Sequence, residues 1–109
     1  LPGNPVAVWV TLLVAAVPWL RWRQGENFEP PLPYAVPCAF SRNLGKRREY
    51  LRVQRQMTPA GVRLVAYPNQ SSGVLSSVCW SDGLAWQEAG QLVNEGDTLP
   101  FVSYADWLA

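Results

Sequence analysis

The chain has 109 residues, 49% of them hydrophobic, with nine Lys and Arg against eight Asp and Glu, no histidine and a formal net charge of +1. That size and apolar content suit one small domain with a packed core and exclude disorder for most of the chain. The near-neutral charge excludes a domain-wide field for nucleic acid or anionic membrane, and the lack of histidine excludes hydrolase triads and zinc chemistry within the chain.

The first residues, Leu1-Pro2-Gly3-Asn4-Pro5, read as a loop-to-helix junction in which Asn4 caps a helix that Pro5 begins. A start in the middle of such a joint is expected of a piece of a longer chain. The junction presents unpaired N–H groups at the positive end of a helix dipole, either simply capped or available to an anion. From 6 to 20 the sequence is apolar nearly all round, with Val6, Val10, Leu13 and Val17 on one face and Trp9, Leu12, Ala16 and Leu20 beside it. A buried helix packed inside a larger body is expected. A signal peptide fits poorly because Arg21 and Arg23 follow the apolar part, and a membrane span fits poorly because Pro18 interrupts it.

Polar residues and then Pro30-Pro31-Leu32-Pro33 predict a helix stop and a stiff connector, which places a module boundary near Gly25. Strand-like runs follow at 34–40, 47–56 and 62–67, the last two joined by a turn at Thr58-Pro59-Ala60-Gly61, and together they predict an antiparallel meander. A loop at 68–73, one or two helical turns over 74–80, a turn at Asp82-Gly83 and strand-like runs at 84–88, around Leu92-Val93 and at 98–104 complete the pattern. The fold class expected is mainly β: a small antiparallel β-barrel or sandwich preceded by one apolar helix. Cys38 and Cys79 are read either as two small core residues or as one bridge, the first being the simpler.

Six of the nine basic residues lie within 42–55: Arg42, Lys46, Arg47, Arg48, Arg52 and Arg55. On a strand, Arg48, Tyr50, Arg52 and Gln54 share one face and Arg47, Glu49, Leu51, Val53 and Arg55 the other, so the charges cannot all converge. The cluster is a solvated face with surface ion pairs or, alternatively, an RNA- or phosphate-binding patch. The stretch Gln70-Ser71-Ser72-Gly73-Val74-Leu75-Ser76-Ser77 is an ordinary turn and cap, or a hydroxyl-rich loop able to donate to an anion.

Taken in order, Leu-Pro-Gly-Asn-Pro-Val, the apolar helix, the proline-rich link, Arg47-Arg48-Glu49-Tyr50-Leu51-Arg52-Val53, the 70–77 stretch with Asp82-Gly83, and Glu95-Gly96-Asp97 resemble the C-terminal end of the MoeA/gephyrin family of molybdopterin molybdenumtransferases. The resemblance runs over essentially the whole chain. It implies that 1–24 are the last loop and helix of an α/β molybdopterin-binding domain and 25–109 the C-terminal β-barrel domain. It also implies a parent enzyme that inserts molybdate into adenylylated molybdopterin with the help of Mg²⁺, as a cytoplasmic homodimer.

On the same basis Pro2, Gly3, Asn4 and Pro5 would form part of the active-site loop, Arg47 would be the barrel's contact to oxyanion, and Ser76 or Ser77 would add a hydroxyl. The metal-binding carboxylates and catalytic lysines of the family would lie before Leu1, so the chain alone is expected to be inactive, with no catalytic or metal-ligating residue of its own and no bound cofactor. The sequence departs from the family pattern at Ala7, Lys46, Ser71 and Trp80, where Ser, Gly, Gly and a basic residue are usual. A protein-interaction module without catalysis is the alternative, and neither nucleic acid nor membrane is expected as a partner. The apolar helix also predicts self-association by exchange of residues 5–20 between copies.

Overall fold

The computed structural model describes residues 10, 12–25, 31–67 and 75–108. Alternation along the strands builds its sheet. Strands β1 (Tyr34–Pro37), β2 (Glu49–Thr58), β3 (Gly61–Ala66), β4 (Gly83–Gln87) and β5 (Thr98–Ser103) form one antiparallel sheet in the order β1-β5-β4-β2-β3. The edges come together where Cys38 bridges Leu64 in parallel and Ala39 N–H donates to the Leu64 carbonyl at 2.9 Å. The sheet therefore curls into a barrel, and the mainly β architecture expected from the sequence is present.

The ten-residue β2 serves two neighbours: 49–53 pair with β4 and 53–58 with β3. Its Leu51 and Val53 point inward to Cys38, Leu64, Ala85, Val93, Leu99 and Phe101, which make the barrel core. On the outer face Tyr50 packs on a second cluster of Leu13, Leu84, Val102 and Trp107. The β2–β3 hairpin closes as expected at Pro59-Ala60, where the Thr58 hydroxyl donates to the Gly61 carbonyl at 2.7 Å and Gly61 takes a φ of 103°. The meander does not extend to β1, which pairs with β5. β1 ends in Pro37, which has no N–H to give and suits an edge, while β2 carries no proline and takes an interior place.

Three further expectations need correction. Gly83 is not in a turn; it begins β4, and a Cβ there would lie 2.5 Å from the Val102 carbonyl oxygen and 2.6 Å from the Phe101 ring. Glycine is required by close packing, not by turn geometry. Leu92-Val93 is no strand but a single bridge, Val93 exchanging backbone hydrogen bonds with Arg42 at 2.8 and 3.1 Å. Of the cysteines, both free, Cys38 is buried in the core as expected but Cys79 is exposed, because α2 (Leu75–Trp80) lies on the surface of the barrel.

The apolar N-terminal segment passes Pro18 without stopping. A π-helical turn (Leu12–Ala16) leads into α1 (Val17–Arg23) with Pro18 in its first turn. Proline there has no N–H for the preceding turn, and the wider π spacing relieves the ring's clash with it. Leu13 is fully buried on the barrel's outer face, with Val10 and Val14 beside it, and the Arg21 guanidinium donates to the Leu108 carbonyl at 2.8 Å. Leu12, Trp19, Leu20 and Trp22 are exposed, so in this chain the helix is apolar on a covered side and on an open one. Trp107, on α3 (Tyr104–Leu108), is buried, and Trp80 and Trp86 are half-buried. Among the described residues no helix is long and apolar enough to cross a membrane.

Two predictions follow from the packing. Gly83→Ala should lower stability by about 2 kcal/mol or more through overpacking against Phe101, read as a shift in the denaturant midpoint; an unchanged midpoint would contradict the close approach. Burial, reinforced by the Asp97 charge, pushes the Cys38 thiol up to about 11 from its ordinary 9.0. The folded thiol keeps its proton where the unfolded one ionises, so its contribution is complete below pH 9.0 and is lost as pH rises to about 11. The fall in stability across that window should be shallower in Cys38→Ala than in the wild-type protein.

Candidate functional site

The arginines of the 42–55 segment, adjacent in sequence, meet very different surroundings. Arg42, in the loop before β2, donates to Gln87 Oε1 at 3.1 Å and forms an ion pair with Glu49. Arg48 makes a two-point contact with Glu88 at 2.8 and 3.0 Å and reaches the Tyr50 hydroxyl. Arg55 donates to Asp82 at 3.0 Å and lies 5.0 Å above the Phe101 ring centroid. These three pairs are partly or largely exposed, and solvent-screened pairs of this kind add little to stability. Arg47 is exposed in the bend before β2 and makes no ion pair among the described residues. Lys46 is exposed beside it.

Arg52 is different: only 3% of it is exposed. It sits in the middle of β2 on the outer face, paired in register with Leu84 of β4, while its carbonyl accepts the Tyr67 N–H at 3.2 Å. Burial pulls the guanidinium below arginine's ordinary pKa, and the charges that Tyr104 and Tyr67 carry once ionised act in the opposite sense. The Tyr67 ring meets Trp80 edge-on, with centroids 5.5 Å apart. Gln54, next along the same face, donates to the Trp80 carbonyl at 2.7 Å and ties the end of α2 to β2.

The hydroxyl of Ser81, 7% exposed, completes this corner. It donates to the Val78 carbonyl at 3.1 Å and lies 2.6 Å from the Tyr104 hydroxyl. Tyr104 opens α3, whose N-cap Ser103 accepts the Asp106 N–H at 3.1 Å in a Ser-x-x-Asp arrangement. The Tyr104 N–H itself donates to the Asp82 carbonyl at 3.0 Å, which locks α3 to the start of β4. Arg52 therefore lies on the same outer face of β2 as Gln54, which reaches the end of α2. A buried guanidinium can meet a tetrahedral oxyanion at two points and in a low-dielectric setting.

Of the residues expected at a site, Pro2, Gly3, Asn4 and Pro5 lie outside the described residues. Ser76 and Ser77 fall in α2, and the placement of their side chains is likewise outside the description. Arg47 is at the surface at the start of β2, and Arg52, five residues on, is the arginine that the fold encloses. The signal for Arg52 was its position between Leu51 and Val53, which face inward; no local feature revealed that its own face would be covered. Among the described residues no three His, Cys, Asp or Glu side chains group to hold a metal. The donors here do not fit a Mg²⁺ site, and no step through that ion is assigned to these residues.

No curated protein and no solved structure matches the chain. A family model does: the MoeA C-terminal region, domain IV, matches residues 35–104, a span that holds all of β2 to β5, β1 but for Tyr34, and Arg52. By that match over more than half of its length, the chain belongs to the MoeA family through its C-terminal domain.

Proposed function

We propose that this chain serves in molybdenum cofactor assembly as the C-terminal barrel of a molybdopterin molybdenumtransferase, the enzyme that inserts molybdate into adenylylated molybdopterin. Arg52 is the group on the barrel that holds the oxyanion. The observation that carries this reading is an arginine buried to 3% exposure on the barrel's outer face, within the family-matched region. A cation held in low dielectric by fixed neighbours binds an anion more strongly than a mobile surface arginine, because its field is less screened and its geometry is set in advance. Contact with the anion requires the chain over Arg52 to shift, so binding and a local opening are coupled.

In the same proposal Arg47, exposed at the entry to β2, makes an outer contact with the incoming anion. The loop 2–5 and a hydroxyl of Ser76 or Ser77 complete the surroundings, and the parent acts as a cytoplasmic homodimer. These assignments rest on the resemblance of the sequence to the family.

Arg52→Met keeps the volume and apolar stem of the side chain and removes its charge, so the fold should survive. Molybdenum insertion by the intact parent should fall more than about tenfold, the effect of losing roughly 1.4 kcal/mol of transition-state stabilisation. Arg47→Ala should reduce insertion less. Insertion at the wild-type rate in a folded Arg52→Met variant would remove Arg52 from the site, and the same result in Arg47→Ala would remove Arg47.

A further inference from the structure

Two prolines stand where two ladders of the barrel stop. β1 and β3 share a single parallel bridge, Cys38 with Leu64, in which the Ala39 N–H donates to the Leu64 carbonyl at 2.9 Å. The next rung of a parallel ladder would run from the N–H of residue 37 to the Val62 carbonyl. Residue 37 is a proline without an N–H, so the ladder ends there and Val62 is left 45% exposed. On the other side, β4 and β5 pair at Gly83↔Ser103, Leu84↔Val102 and Ala85↔Phe101. The Tyr104 N–H donates to the Asp82 carbonyl, so by alternation residues 102 and 100 also turn their backbone groups to β4. The next rung would need an N–H from Pro100 for the Trp86 carbonyl, and the ladder stops.

Between these stops lie β1 and the first half of β5. They pair with each other at Ala35↔Pro100, Val36↔Leu99 and Pro37↔Thr98, and residues 98–100 have no second ladder partner among the described residues. One end of the pair is closed by the Cys38 N–H on the Asp97 carbonyl and the Gly96 N–H on the Cys38 carbonyl, both at 2.8 Å. Val36, Cys38 and Leu99 join it to the core through side chains.

We propose that β1 and residues 98–100 form a flap that opens from the barrel as one unit while β2, β3 and β4 stay folded, with Pro37 and Pro100 defining its two sides. Opening breaks the Cys38–Leu64 bridge and uncovers the Cys38 thiol, but it takes no rung from the ladders that β2 makes with β3 and β4. Segments with few hydrogen bonds to the rest of a fold are the ones that open below the global unfolding free energy. Opening is rare at equilibrium, because Val36 and Leu99 must leave the core. Residues 31–33 lead directly into β1, so a displacement of that connector reaches the flap before it reaches the sheet. Prolines that only guard strand edges against other chains would produce no such local opening.

Cys38, fully buried when the flap is closed, reports the opening in the full chain carrying Cys79→Ser, which removes the exposed thiol. Under native conditions an aromatic disulfide reagent should label Cys38 at a rate that hardly changes at low denaturant, because the flap uncovers little surface. Hydrogen exchange of the Ala39 amide should show the same weak dependence, while amides of the β2–β4 ladder exchange only with global unfolding. Labelling or Ala39 exchange that follows global unfolding would overturn the flap. Pro37→Ala and Pro100→Ala supply the missing N–H to the Val62 and Trp86 carbonyls, and each should slow labelling about fivefold, the effect of one added hydrogen bond. An unchanged rate in a folded variant would overturn the part given to that proline. Where a proline variant does not fold, labelling and exchange with both prolines in place decide the proposal.

Discussion

Burial of β2 on both faces is the constraint on which the rest of the molecule depends. A strand covered on one side only can keep its charges in water, but β2 sends Leu51 and Val53 into the barrel and Tyr50 into the cluster under the N-terminal helix. Arg52 is carried into the covered face with them. A guanidinium withdrawn from water costs several kcal/mol unless polar groups are arranged around it. Covering that face without stranding the charge is therefore a requirement of the fold. Gly83 belongs to the same requirement: opposite Val53, it lets β4 come close enough to β5 for Phe101 to fill the core.

Ion pairs accumulate instead where β2 and β4 emerge. Buried Gln87 binds that end together, donating to the carbonyls of Asn43 at 3.0 Å and Gln91 at 2.6 Å and accepting from Arg42. The contacts of Arg42 and Arg48 with Glu49 and Glu88 add order to loops more than stability. Dispersal of the basic residues between this end, the Asp82 pair and the buried site explains how so basic a segment can belong to a nearly neutral domain without forming one basic face.

What could be read from the sequence was what local chemistry determines. The Thr58-Pro59-Ala60-Gly61 turn, the two faces of β2, the turn before β5 and the short helix ending at Trp80 all follow from turn residues and period. The pairing of β1 with β5 is set by contacts across more than sixty residues, which no local pattern encodes. Asp82-Gly83 looks like a turn because the same residue type serves tight turns and close strand contacts. Arg47 and Arg52 are equally basic in sequence; only the tertiary cover over the even-numbered face of β2 distinguishes them. The family resemblance pointed to Arg47, and the fold encloses a different arginine, Arg52, in the same segment.

In the function proposed above, the enclosed arginine, and not the exposed basic residues before it, holds the anion on this domain. Crystals of the intact protein grown with molybdate and measured at the molybdenum absorption edge would test it most directly. An anomalous peak is expected within hydrogen-bond reach of the Arg52 guanidinium, with the chain over it displaced. A peak elsewhere in the protein, with Arg52 still buried, would remove that role from Arg52.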